Sequence, residues 1–172
     1  VFLIDKNNVD VNTFYGQPVR SGLDDLLGKY GVTVQGGYVL DMQNQTVGIT
    51  QQRGMFSMTN FINYPLFPVA TDLQKDHPIV KDLQSVTIPF VSPLKLNTGE
   101  NKKLKETALI KSSKNSWHRQ NLYSVQPLQQ FTPAEKEEKG PFVLAATVEG
   151  NFTSFYADRP EAIKESPFAR VV

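Results

Sequence analysis

The sequence predicts an α/β fold, a Rossmann-like or flavodoxin-like mixed sheet with β-rich additions that is incomplete at both chain ends. Two observations lead to this prediction. An apolar run at Val1–Ile4 is followed by an amphipathic helical pattern and then by the strand-like runs Val32–Val34 and Tyr38–Asp41. Strand, helix and strand in this order form the βαβ unit of an α/β layer. In the rest of the chain strand-like runs outnumber helical ones, which predicts the β-rich additions.

The first strand is predicted at Val1–Ile4, with Asp5 at its carboxyl end, where a βα loop would begin. The helix follows the polar loop Lys6–Arg20. Ser21 is placed to cap its N-terminus, its apolar residues recur at i, i+3, i+4 and i+7, and Gly31 is placed to end it. Those apolar residues are Leu23, Leu26, Leu27 and Tyr30. This helix is the best-specified element of the sequence.

The central and C-terminal parts of the chain predict further strands. Thr46–Thr50 is predicted as a short strand, whereas the aromatic and proline-punctuated stretch Gln51–Thr71 is predicted to be packed but irregular. Phe142–Glu149 is the most apolar run and predicts the central strand of the sheet. Glu149–Asn151 contains the Gly and Asn that accept positive φ, so a hairpin turn is predicted there.

Composition places the chain among ordinary globular proteins. Its 172 residues carry 18 Lys and Arg against 17 Asp and Glu, so no strong electrostatic field favours nucleic acid or an anionic membrane surface. Because neither a linker nor an internal repeat interrupts the chain, residues 1–172 are predicted to form one domain. The absence of cysteine excludes disulfides, thiolate nucleophiles and Cys-ligated zinc within it.

Motifs that carry catalysis are missing from the sequence. The two histidines, His77 and His118, are not spaced as a metal site, and neither a Gly-x-Ser-x-Gly elbow nor a phosphate-binding glycine loop occurs. We therefore predict no catalytic, cofactor-binding or metal-binding residues and no cofactor. One alternative stays open, in which Asp5 and Asp41 form the acid pair of an extracytoplasmic carbohydrate- or peptide-processing hydrolase.

Aromatic and basic side chains form a candidate interaction surface. Some lie in the stretch Met55–Pro68 and the others in Ser116–Arg119. The residues assigned to this surface are Phe56, Phe61, Tyr64, Trp117, His118 and Arg119. Exposed aromatic patches bind protein or glycan partners, whereas buried ones fill a core. The sequence leaves both interpretations open for Met55–Pro68, because they differ only in exposure.

Several segments of the chain match one family in the same order and with the same spacing. They are Val1–Asp5, Ser21–Leu27, Tyr30–Val32, Tyr38–Asp41, His77–Lys81, Ser85–Phe90, Asn115–Trp117 and Gly140–Ala145. Over nearly the whole chain, this order resembles the auxiliary-component family of bacterial ABC-type transport systems, the GldG-like family of gliding motility. Each segment alone is an ordinary strand or turn, so the order carries the resemblance.

The resemblance implies a non-catalytic accessory or binding module of a bacterial ABC-type transport system, which acts through protein–protein or ligand contacts. It implies that the partners are separately encoded ABC permease and ATPase subunits, and that nucleic acid is not a partner. It also implies a periplasmic, extracytoplasmic domain of an inner-membrane protein, held at the membrane by segments outside this chain. The family offers no set of catalytic residues to transfer.

Overall fold

The computed structural model describes residues 1–97, 103–157 and 165–171. These residues contain one helix and fourteen strands. Helix α1 spans Asp24–Lys29. The strands are β1 (Asn7–Asp10), β2 (Tyr15–Pro18), β3 (Val32–Val34), β4 (Tyr38–Asp41), β5 (Asn44–Arg53), β6 (Phe56–Ala70), β7 (Asp72–Leu73), β8 (Val86–Thr87), β9 (Leu94–Leu96), β10 (Leu104–Lys111), β11 (Ser116–Arg119), β12 (Glu138–Lys139), β13 (Val143–Thr153) and β14 (Glu165–Val171).

This architecture contradicts the prediction of an α/β, Rossmann-like or flavodoxin-like sheet. The strand pairs of the described residues are antiparallel, and β3 and β4 belong to different sheets. Val1–Ile4 lies in no strand, so the strand–helix–strand unit lacks its first member. Helix α1 has six residues, about 9 Å of length, which is too short to cover the face of a parallel sheet.

The local prediction of the helix and of the two strands after it is confirmed, with one change at the helix start. Leu23, rather than Ser21, is the N-cap, and the Ser21 hydroxyl accepts a hydrogen bond from the Leu23 N–H at 3.3 Å. Gly31 ends the helix with φ of +80°, and its N–H donates to the Gly28 carbonyl oxygen at 3.0 Å. Glycine adopts this left-handed conformation without the steric penalty of a Cβ atom.

The largest sheet has the strand order β3–β9–β13–β10–β7, and β14 also pairs with β13. Strand β13 is therefore central, as its apolar composition predicts. The hairpin turn predicted at Glu149–Asn151 is wrong, because β13 continues through this segment to Thr153. Gly150 has φ of +137° and marks a shift in register against β14, so it forms an irregularity within a strand rather than a turn.

The main core lies around the sheet β12–β11–β4. All four residues of β4 are buried. Tyr38 and Leu40 pack with Trp117 and the inner end of β6 in one cluster, whereas Val39 belongs to a second cluster. Burial raises the pKa of Tyr38 to about 12, so its hydroxyl stays protonated. Tyr64 belongs to the same cluster, and its hydroxyl donates to the Val125 carbonyl oxygen.

Strands β5 and β6 form a long hairpin, so the prediction of an irregular segment at Gln51–Thr71 is wrong. The prolines that suggested irregularity lie in β6, which also contains the aromatic residues. Pro68 pairs with Asn44, and the register shifts between Asn44 and Thr46, so that Pro65 falls in the interrupted part of the ladder. Proline lacks an N–H donor and is tolerated where a regular ladder is interrupted.

Candidate functional site

The outer part of the β5–β6 hairpin, residues 46–63, is an exposed two-stranded ribbon that we call the arm. Within the described residues its strands pair only with each other there, whereas the inner end of β6, from Tyr64 onward, is largely buried. Several large apolar side chains of the arm are exposed: Met55 at 97%, Phe56 at 80%, Phe61 at 76% and Met58 at 55%. Large apolar side chains exposed on one element are typical of interaction sites.

The two faces of the arm differ in chemistry. The register places Met58 opposite Gln51 and Ile62 opposite Val47. Because side chains alternate along a strand, Phe56 lies on the same face as Met58 and Ile62. We call this side the apolar face. The other face carries Thr50 and Thr59, whose hydroxyl oxygens lie 2.8 Å apart. Residues 44–63 contain no Asp or Glu, and Arg53, which pairs with Phe56, is their one charged residue. No carboxylate therefore has to lose its water when the apolar face is covered.

Phe61 lies on the second face, opposite Gly48. A Cβ atom added at Gly48 would lie 3.3 Å from the Phe61 ring, so the ring rests directly above the glycine backbone. Phe56 and Phe61 are thus both exposed on the arm but point in opposite directions. The structure does not join them into one continuous patch.

The other aromatic residues of the sequence-predicted surface lie in the core. Tyr64 and Trp117 are 2% and 1% exposed and belong to the main core cluster. The Tyr64 ring contacts Phe131 edge to face, with centroids 6.0 Å apart. The structure therefore separates Phe56 and Phe61, which are accessible, from Tyr64 and Trp117, which are not.

His118 is buried, and its polar contacts are structural. Its Nε2 lies 2.7 Å from the Gly36 carbonyl oxygen, which only accepts, so Nε2 carries the proton. Its Nδ1 lies 3.9 Å from a Glu138 carboxylate oxygen, and its ring packs edge to face on Phe142. These contacts hold the turn at Gly36 against β11 and leave the imidazole no open side for a substrate.

Arg119 binds Glu137 with two hydrogen bonds and braces the segment that precedes β12. Its Nη2 donates to a Glu137 carboxylate oxygen at 2.9 Å and to the Thr132 carbonyl oxygen at 2.8 Å, and its Nε donates to the second carboxylate oxygen. Glu137 also accepts the Ala134 N–H at 2.7 Å. The hydrogen bond from Arg119 holds the pKa of Glu137 below its usual value.

We expect replacement of Glu137 by glutamine to reduce the acid sensitivity of the fold. Because the folded pKa is depressed, the pairing stabilises the protein above the ordinary pKa of 4.5, and this stabilisation is lost as pH falls through the folded pKa. The Glu137→Gln variant should be about 1 kcal/mol less stable at neutral pH and should lose less stability on acidification than the parent. Urea unfolding across an acid pH series measures both effects.

Glu135 offers a matched control, since it lies on the same segment and is exposed. The Glu135→Gln variant should follow the parent at every pH. Equal pH profiles for Glu137→Gln and the parent would show that the Arg119 pairing does not contribute to stability.

The carboxylates of the alternative acid pair lie in different surroundings. Asp41 is fully buried and accepts hydrogen bonds from the Gln43 N–H at 2.9 Å, the Ser113 N–H at 2.7 Å and the Ser113 hydroxyl. Asp5 is exposed and lines a different, apolar cavity. Both carboxylate oxygens of Asp41 are thus used to hold two loops together.

Sequence reasoning missed Met58 and the pairing that forms the apolar face. Part of the local signal was available, since Phe56 and Met58 alternate with the polar residues Ser57 and Thr59. Among the residues that the structure describes, no three His, Asp or Glu side chains come together in a way that could hold a metal ion. The same part of the chain holds no helix with the length and apolarity needed to cross a membrane.

Comparison with known proteins identifies the family. Residues 1–171 match a family of auxiliary components described as "ABC-type uncharacterized transport system", and the chain belongs to it. This confirms the sequence resemblance at the level of an auxiliary component of an ABC-type transport system.

A relative in Borreliella burgdorferi, described as an uncharacterized protein, is 29% identical over 147 residues. The match covers 83% of this chain and 28% of the relative, so the chain spans little more than a quarter of that protein. No solved structure matches the chain.

Proposed function

We propose that the chain is a non-catalytic accessory module of an ABC-type transport system and that it contacts another protein of that system through the apolar face of its arm. The observation that carries the proposal is the exposed apolar face itself. Membership of an auxiliary transport family supplies the setting. The buried, hydrogen-bonded state of Asp41 gives no support to the alternative of a hydrolase with an acid pair.

The energetics of the arm favour a protein contact. Covering a side chain such as Phe56 or Met58 removes apolar area from water and contributes about 1.5–3 kcal/mol for each. Among the described residues, nothing pairs with the two outer edges of the arm over residues 46–63, and such edges are suited to main-chain pairing with a partner strand. An isolated two-stranded ribbon is marginally stable in water, so a partner would also order it.

The base of the arm extends this surface. A cavity of about 360 Å³ lies there, between Asn63 and Pro65 of β6 and the segment that contains Gln129 and Phe131. Its lining includes no charged residue among those the structure describes. A partner bound to the apolar face would therefore also contact this uncharged, amide-rich cavity beside it.

The wider setting is part of the same proposal. We place the chain, as one domain, in the periplasmic part of a GldG-like inner-membrane protein that works beside a separately encoded permease and ATPase. The family match and the order of the matching segments support this placement. The substrate is not assigned, since the chain spans a small part of its relative.

A charge introduced on the apolar face should disrupt the contact. In cells that produce the complete protein, we expect the Met58→Asp variant to lower co-purification of the permease and ATPase at least tenfold, because the new carboxylate would lose its water when the apolar face is covered. The matched control is Phe61→Asp, on the opposite face of the same ribbon. Retention of both partners by Met58→Asp, or equal loss with Phe61→Asp, would contradict the proposed contact surface.

A further inference from the structure

A second cavity, of about 340 Å³, lies between residues 1–5 and the inner face of the largest sheet. Its walls are almost wholly aliphatic. They come from α1, β3, β9, β10 and β13, and from the segments 79–80 and 88–92. They include Leu27, Val32, Leu94, Leu109, Leu144 and Val148. Phe2 is the one aromatic residue among the described lining residues, and Asp5 and Ser92 are the polar ones.

The polar groups of this cavity are either occupied or at its edge. The Ser92 hydroxyl donates to the Gly37 carbonyl oxygen at 2.7 Å and accepts from Asn7 Nδ2 at 3.3 Å. Asp5 is exposed, so its carboxylate lies in water. A buried water needs two to four polar partners, and the side chains of these walls offer few. Sugars, nucleotides and amino acids would likewise lose their hydration without compensation.

We propose that this cavity binds the alkyl chain of a lipid. Walls made mostly of aliphatic side chains, with Ser92 already hydrogen-bonded and Asp5 at the edge, match a saturated hydrocarbon chain. The charge at the edge of the cavity selects the other end of the ligand, since the Asp5 carboxylate repels an anionic head and tolerates a neutral or zwitterionic one. This inference does not depend on the proposed contact of the arm, because the two sites share no residue.

The wall formed by residues 1–5 would allow an alkyl chain to enter the cavity. This segment lies in no strand, and Phe2 and Ile4 pack toward the cluster of Leu27 and Val148 while Val1 is 88% exposed. The wall is thus attached by side-chain contacts rather than by a ladder of backbone hydrogen bonds. Filled at the density of a protein interior, the cavity holds on the order of ten carbon atoms.

A series of monoalkyl phosphocholines of increasing chain length, each below its critical micelle concentration, tests the inference on the purified chain. Affinity measured by calorimetry should rise about fourfold for each added methylene, since each one buries apolar area. It should then level off at the length that fills the cavity. Affinity that rises without levelling would indicate a surface or micelle effect and would overturn the inference, as would failure to bind at any length.

Variants that fill the cavity locate the binding. We expect Ala146→Leu and Ala145→Leu each to weaken binding at least tenfold and to shorten the chain length at which affinity levels off. Thermal unfolding should show that at least one of them keeps the parental fold. The control is Ala134→Leu, an exposed alanine outside the cavity. Equal binding by folded filling variants and the control would overturn the site.

Two sources of the alkyl chain, a free lipid and a membrane lipid, are distinguished by the form in which the lipid is supplied. A free monoalkyl lipid and a phosphatidylcholine vesicle present the same hydrocarbon, but only extraction from the vesicle requires the lipid to leave a bilayer. Transfer of a fluorescent acyl lipid from vesicles to the chain, lost in Ala146→Leu, would assign a membrane source. A second copy of the chain, or another part of the same protein, seated in the cavity would instead prevent all lipid binding and refute the inference.

Discussion

Replacement of Asp41 by alanine is expected to lower the free energy of unfolding by about 3 kcal/mol. The fully buried carboxylate accepts the N–H groups of Gln43 and Ser113 and the Ser113 hydroxyl. Removing it takes away the acceptor of two partly buried backbone donors and leaves a cavity in place of the fully buried carboxylate. Denaturant unfolding of the purified chain, analysed for a change in midpoint at constant slope, measures the loss.

The control for this experiment is Asp5→Asn, because Asp5 is the other member of the acid pair and is exposed. Its stability should stay within about 0.5 kcal/mol of the parent. If Asp41→Ala kept parental stability, the two loops would be held by contacts other than the carboxylate. A hydrolytic activity that disappears in both Asp41→Asn and Asp5→Asn would revive the hydrolase alternative.

Replacement of Gly37 by alanine should cost about 3 kcal/mol of stability. Gly37 has φ of +84°, and a Cβ atom there would overlap the Arg119 carbonyl oxygen and lie 2.5 Å from Gln120 Cα. Both obstacles are backbone atoms, so they cannot move without shifting the end of β11. The Gly37→Ala variant is therefore destabilised by two effects, an unfavourable φ and a steric overlap with the backbone.

The adjacent glycine provides a close control for that substitution. Gly36 has no positive φ, and a Cβ atom there would meet nothing within 4 Å. The Gly36→Ala variant should therefore unfold within about 0.5 kcal/mol of the parent. Similar losses for Gly36→Ala and Gly37→Ala would mean that general stiffening of the turn, and not the close approach to Arg119, sets the effect.

Local signals explain which elements were predictable from the sequence. The apolar spacing of Leu23, Leu26 and Leu27 and the glycine at position 31 define a helix within one short window. The strongly apolar run at Phe142–Glu149 likewise predicts a central strand, and β13 covers most of it. Each of these patterns depends on neighbours in the chain, so no knowledge of distant residues was needed.

Pairing between distant residues explains what was missed. Tyr38 pairs with Arg119 and Val32 pairs with Leu96, and nothing near β3 or β4 in the sequence identifies those antiparallel partners. The strand–helix–strand order therefore suggested a parallel layer that does not form. The arm was missed for a related reason, since one strand, β6, changes from exposed at Phe61 to buried at Tyr64 and both ends are aromatic.

The order in which the strands occur in the chain has a consequence for folding. Strand β13, which joins β9, β10 and β14, ends at Thr153, so the largest sheet cannot assemble before this late segment is in place. The β5–β6 hairpin closes through near neighbours and forms early, whereas pairings that span long separations fold slowly. Until β13 joins the sheet, the edges of β9 and β10 that it covers stay open, and open strand edges favour aggregation.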